Sequence, residues 1–181
     1  MVILYSLLFI FLLGGALGIV YIYNYNKLQH SKTKIEHAEC LIDESIRTKY
    51  DLLCQYEDLI KDSLGNNKEF LKNITKLKEE NISNFDLDRK LTEYENLIAK
   101  FNSDNDELVS GKDFKKLNTE VKKINEKLQA AKSYYNKYTS ELNDLIRTFP
   151  SNIVSRMHQM DVKPFFDGKN MQDEIIDDFK L

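Results

Sequence analysis

Tryptophan is absent from this chain of 181 residues, and proline, cysteine and histidine are scarce, at 2, 2 and 3 residues. With 2 prolines and 6 glycines, a collagen-like chain or a Pro/Gly linker is excluded, and long stretches contain nothing that breaks a helix. Two cysteines cannot build a disulfide scaffold. Cys40 and Cys54 stand 14 residues apart on one expected helix, about 21 Å, too far to bond to each other. That spacing is two heptads, so both thiols face a similar way and read as small buried hydrophobes in a reducing compartment. His30, His37 and His158 fall in no HExxH or four-residue ligand pair, which argues against zinc. A Gly-rich phosphate loop and a GxSxG elbow are both missing. Adjacent acids such as Glu79 and Glu80 diverge by about 100° on a helix and read as solvated charge. We therefore expect no catalytic residue, no metal or cofactor, no small-molecule substrate and no enzymatic activity.

Charge is missing altogether from the first 26 residues; all 26 basic and 29 acidic side chains follow Asn26. From Val2 to Tyr23 the chain is almost wholly apolar. As a helix this run is about 33 Å long, which matches the ~30 Å hydrocarbon core of a bilayer. The start carries no Lys or Arg and the apolar run is too long for a cleaved signal, so an uncleaved membrane anchor is expected. Lys27, Lys32 and Lys34 follow the span before the first acid, Glu36, and the other flank offers only the α-amino group. The positive-inside rule then puts the N-terminus outside and the C-terminal domain in the cytoplasm. Gly14 and Gly18 have the small-xxx-small spacing of a dimer face, although glycine is common in spanning helices anyway.

Beyond the anchor, no proline or glycine interrupts Ile19 to Leu64, so the anchor can run directly into the first soluble helix. Leu28, Ile35, Ala38, Ile42, Leu52, Tyr56 and Leu59 form its stripe, weakened by Ser31, Ser45 and Lys49. Gly65-Asn66-Asn67 reads as a turn, and a helix is expected from about Lys68 to Ile82. Ser83 and Asp86 offer caps for a third helix near Leu87–Phe101. The polar stretch Asn102–Gly111 separates it from the longest periodic segment. Phe114, Leu117, Val121, Ile124, Leu128, Ala131, Tyr135, Tyr138, Leu142, Leu145 and Phe149 follow steps of three and four, the period of coiled-coil packing. Turns and short helices between two long ones favour an intramolecular bundle over a fibrous oligomer.

The expected architecture is all-α: an N-terminal transmembrane helix and an antiparallel up-and-down helical bundle with coiled-coil-like packing. Residues 1–24 form the anchor, 25–160 the bundle and 161–181 an acidic C-terminal tail. Pro150 stops the long helix, Ser151 to Val154 begin a short further turn, and the apolar patch Val162–Phe166 can fold back on the bundle. Lys115-Lys116 and Lys122-Lys123 make a basic ridge, but Glu120 and Glu126 interrupt it and the net charge is −3, so nucleic acid is not an expected partner.

Several segments together resemble the LemA family: Tyr25-Asn26-Lys27-Leu28, Arg47 with Tyr50-Asp51-Leu52, Ala131 through Asn136, then Asn143, Ile146, Arg147, Phe149-Pro150-Ser151-Asn152 and Phe165-Phe166. The resemblance covers nearly the whole chain. Its most specific part is Tyr135-Asn136, Asn143 seven residues on, and the helix end Ile146-Arg147-x-Phe149-Pro150. It implies a bacterial-type membrane protein with one N-terminal anchor, outside N-terminus and an antiparallel helical bundle inside. Departures are Cys54 for a family proline, Asn105-Asp106-Glu107-Leu108 for Tyr-Pro-Asp-Leu, and Asn125 for a glutamate.

Asn136 and Asn143 lie one step from core positions and about 20° apart around the helix. Their amides either fix register against a neighbouring helix or form a polar strip that receives a partner peptide. Tyr134, Tyr135 and Tyr138 read as core rings with hydroxyls at the edge. The expected function is a non-catalytic scaffolding or protein-interaction role at a membrane, through a protein partner or self-association. The alternative is a regulator or adaptor of an integral membrane protein such as a membrane protease.

Overall fold

A computed structural model describes residues 1–64, 74, 82–104 and 111–167. Four helices occupy them: α1, Val2–Leu64; α2, Asn84–Asp104; α3, Lys112–Arg147; and α4, Ser151–Met157. No strand occurs among the described residues. The fold is all-α with bundle packing, and α1 carries the long apolar N-terminal run. Ser83 caps α2 as its sequence suggests: Asp86 N donates to Ser83 Oγ at 3.1 Å, and the Ser83 hydroxyl donates to Asp86 Oδ2 at 2.7 Å. The turn at Gly65, most of the helix expected over 68–82 and the acidic tail beyond Asp167 lie outside the described residues. Ile74 and Ile82 are the exceptions within that stretch, and Ile74 is fully buried.

The residues form two compact units, Met1–His37 with Tyr134–Leu181 and Ala38–Ser133. In the second unit, Tyr56 of α1 meets Phe114 of α3 edge-on at 5.5 Å, and Glu44 pairs with Lys127 at 2.9 Å. As α1 advances α3 recedes, so the two are antiparallel. Glu95 with Asn125 and Asp88 with Lys132 set α2 antiparallel to α3 in the same way. Leu53, Tyr56 and Ile60 from α1, Leu91, Tyr94 and Ile98 from α2, and Phe114, Val121, Ile124 and Leu128 from α3 are buried together. Each such side chain contributes roughly 1.5–3 kcal/mol on leaving water.

In the first unit, His37 lies edge-on to Tyr134 and His30 to Tyr138, with ring centroids 6.4 and 6.3 Å apart, so α1 and α3 are antiparallel here too. Leu28, Ile35, Tyr135, Leu142 and Val154 are buried.

Two readings need correction. The apolar seam of α3 does not extend to Phe149, which is 74% exposed, because the helix ends at Arg147, just ahead of Pro150. Cys40 is exposed and Cys54 only half-buried, so neither is a small core residue. Ser31, Ser45 and Lys49, the polar positions in the α1 stripe, are all buried. The Ser45 hydroxyl donates to the Leu41 carbonyl at 2.6 Å, which satisfies its own burial.

Candidate functional site

The amides of Asn136 and Asn143 hold the chain's own returning segment. Asn143 is 2% exposed; its Nδ2 donates to the Lys163 carbonyl and its Oδ1 accepts from the Lys163 N–H, both at 2.8 Å. One helical heptad earlier, Asn136 Oδ1 accepts from the Phe166 N–H at 2.8 Å. Tyr135 completes the contact: its hydroxyl donates to the Pro164 carbonyl at 3.2 Å, and its ring stands edge-on to Phe166 at 6.4 Å. Seven residues along a helix advance about 10.5 Å, and three residues of extended chain span about 10 Å. The spacing of the two asparagines therefore matches the length of the segment they hold. These four hydrogen bonds all reach main chain, so the ladder reads the backbone of the returning segment, and the Tyr135–Phe166 ring contact adds a side-chain anchor.

Local structure delivers the segment to the ladder. The Ser151 hydroxyl lies 2.7 and 2.9 Å from the carbonyls of Leu145 and Thr148, and thereby ties α4 to carbonyls at the end of α3. Ser155 donates in turn to Asn152 at 3.0 Å. At the other end of α4, Gln159 adopts φ 52°. Gln159 N–H reaches Arg156 O at 3.2 Å and Met160 N–H reaches Ser155 O at 2.9 Å, closing the helix with a left-handed residue. That turn reverses the chain toward Lys163. His158, just before it, accepts or donates a 2.8 Å bond with the Tyr21 hydroxyl and lies 4.8 Å from the Tyr25 ring.

Of the other residues marked from the sequence, Arg147 is the last residue of α3, and Phe149 and Pro150 form the turn that follows. Gly14 and Gly18 lie on the apolar run of α1, where an added Cβ would meet nothing within 4 Å. The sequence directed attention to Asn136 and Asn143 and to a fold-back of Val162–Phe166, but it did not pair the two; the structure does. Gln159 and the His158–Tyr21 pair were missed entirely.

The second unit has a buried polar network between its helices. Lys49, 3% exposed, pairs with Glu95 at 2.9 Å and donates to Thr92 Oγ1 at 3.3 Å. Asn125 donates to the other Glu95 oxygen at 2.6 Å, and Lys132 pairs with Asp88. Glu57 accepts from Lys61 at 2.6 Å and from the Tyr94 hydroxyl at 3.4 Å. Burial, with the Glu57 charge second, holds the Tyr94 phenol well above its ordinary pKa. Burial and the hydrogen bond that the Tyr50 hydroxyl donates to Cys54 push Tyr50 up to about 12. Burial also raises the Cys54 thiol, the reverse of what a cysteine nucleophile requires. Leu53, Tyr56, Ile98 and Val121 floor an open groove of about 780 Å³ rimmed by Asn118 and Gln129. Among the described residues, no group of three His, Cys, Asp or Glu side chains is placed to hold a metal.

The LemA family model matches residues 38–177, well over half of the chain. The chain belongs to the LemA family. The matched span contains Tyr135, Asn136, Asn143, Arg147, Phe149 and Pro150 and begins after the apolar run, so the anchor reading stands on the chain's own N-terminal residues. Comparisons with curated proteins and with solved structures found no match.

Proposed function

We propose that this LemA family chain is a single-pass membrane-anchored scaffold, its helical bundle presented to protein partners on the cytoplasmic side. The observation that carries this reading is the N-terminal run of α1. Almost every side chain from Met1 to Tyr23 is exposed, including Phe9, Phe11, Leu12 and Ile19, and none of its most apolar window is buried against protein. So much exposed apolar surface on one helix calls for lipid. Lys27, Lys32 and Lys34 support the cytoplasmic placement of the bundle. The LemA family is not known as enzymatic.

The test is extraction of full-length chain from membranes with alkaline carbonate, followed by protease treatment of sealed right-side-out vesicles. Retention in the membrane with the bundle protected supports the assignment. Release by carbonate defeats the anchor, and digestion of the bundle reverses the sidedness.

A second reading, a regulator or adaptor of an integral membrane protein such as a membrane protease, rests on the small-xxx-small spacing of Gly14 and Gly18 in the apolar run. Two helix backbones can approach closely at such positions. Stoichiometric recovery of one integral protein in mild detergent, lost in the Gly14→Leu/Gly18→Leu chain, supports this reading. Self-association alone favours the scaffold.

A further inference from the structure

We propose that α4 lies in the membrane–water interface, with Ile153 and Met157 inserted among the lipid headgroups beside the anchor; this rests on reading α1 as that anchor. Outside Met1–Tyr23, the exposed large apolar side chains among the described residues are Leu97, Phe149, Ile153, Met157 and Val162. Four of these five fall within residues 149–162, on and around a single short helix. Ser151, Val154 and Ser155 face the bundle and are buried, and Ile153 and Met157, four residues apart, occupy the side of α4 turned away from them, at 53% and 66% exposed. In water such a face is a liability.

Its position in the first unit identifies what covers it. α3 descends antiparallel to α1, with His37 beside Tyr134 and His30 beside Tyr138. Continuing at the same rise, Arg147, nine residues after Tyr138, reaches the level of Tyr21, nine residues before His30. The His158 bond to Tyr21 and its tilted ring contact with Tyr25 at 4.8 Å place the other end of α4 at the same height. Tyr21 and Tyr23 close the apolar run that began at Val2, and Tyr25 follows; tyrosines at the end of a spanning helix sit at headgroup level. The exposed face of α4 is therefore beside the bilayer boundary, the depth at which an amphipathic helix buries its apolar side about 5–10 Å into the interface. Arg156, exposed between Ile153 and Met157, is of the charge that anionic headgroups attract. The anchor already holds α4 at the membrane, so the helix needs no membrane affinity of its own.

The test uses the full-length chain with Cys40→Ser and Cys54→Ala, reconstituted in phosphatidylcholine–phosphatidylglycerol vesicles. Single cysteines at Phe9, Glu141, Ile153 or Met157 carry an environment-sensitive fluorophore. Labels at 153 and 157 are expected to be blue-shifted and about two-fold more strongly quenched by a shallow nitroxide lipid than a label at 141. A label at 9 is expected to respond to a deep nitroxide. If 9 is quenched by the deep lipid but 153 and 157 answer only to aqueous iodide, the interfacial placement is wrong and the anchor survives. If 9 is not quenched either, both readings fall.

Discussion

Asn143 on α3 satisfies both backbone polar groups of Lys163, donating to its carbonyl and accepting from its N–H at 2.8 Å each. A carboxamide is the smallest side chain that carries a donor and an acceptor side by side, which is why it can stand in for a strand edge on the surface of a helix.

Replacing Asn143 with alanine removes both bonds from a buried position and is expected to cost about 2 kcal/mol. Hydrogen exchange is the measurement: the Lys163 amide should lose protection first. Asn136→Ala, at a more exposed position with one described bond, should cost less and deprotect mainly the Phe166 amide. Equal protection at Lys163 in wild type and Asn143→Ala would refute the ladder.

Lys49→Met leaves Glu95 without its buried counter-charge. Its destabilisation is expected to be about 1–2 kcal/mol, because the surviving carboxylate is half-buried without its cation and keeps only its Asn125 donor. Adding Glu95→Leu should recover most of that loss. A double-mutant cycle by urea denaturation checks this, and additive losses would argue against coupling between the two residues.

Tyr50 and Tyr94 hold their phenolic protons more tightly in the folded chain, chiefly through burial. Below about pH 9 they are neutral in both states and their contribution is fully present. Above about pH 10 the unfolded chain releases protons that the folded chain keeps, so stability falls as pH rises toward the folded value, about 12 for Tyr50. Across this alkaline window the Tyr50→Phe/Tyr94→Phe chain should show a shallower decline of Tm than wild type. Parallel curves would assign the decline to other groups.

Gln159 carries φ 52° at the end of α4, where glycine has no Cβ penalty. Gln159→Gly is expected to stabilise the chain by about 1 kcal/mol in thermal denaturation. A loss of stability would mean that the Gln159 side chain makes a contribution larger than the relieved strain.

Much of the fold was legible because the signals are local. The steps of three and four from Phe114 to Leu142 require nothing but the helical repeat, and Ser83 with Asp86 caps its helix within a single turn. The same periodicity overran at Phe149, because a repeat of residue types carries no information on where the main chain leaves the helix. Lys49 looked like a flaw in an apolar stripe. Only its partner on α2, Glu95, 46 residues away in the chain, makes burial tolerable there.

The order of residues dictated that the opening run is apolar enough to span lipid, that most of the described residues beyond it are helical, and which faces of those helices shed water; each follows from side-chain chemistry read at a fixed repeat. Packing in three dimensions dictated that Asn136 and Asn143 grip the chain's own segment Lys163–Phe166, and that His158 meets Tyr21. Those pairings join positions 20 to 137 residues apart. An amide or imidazole specifies what it can bond to, but which group arrives within 3 Å depends on how the connecting chain turns and packs.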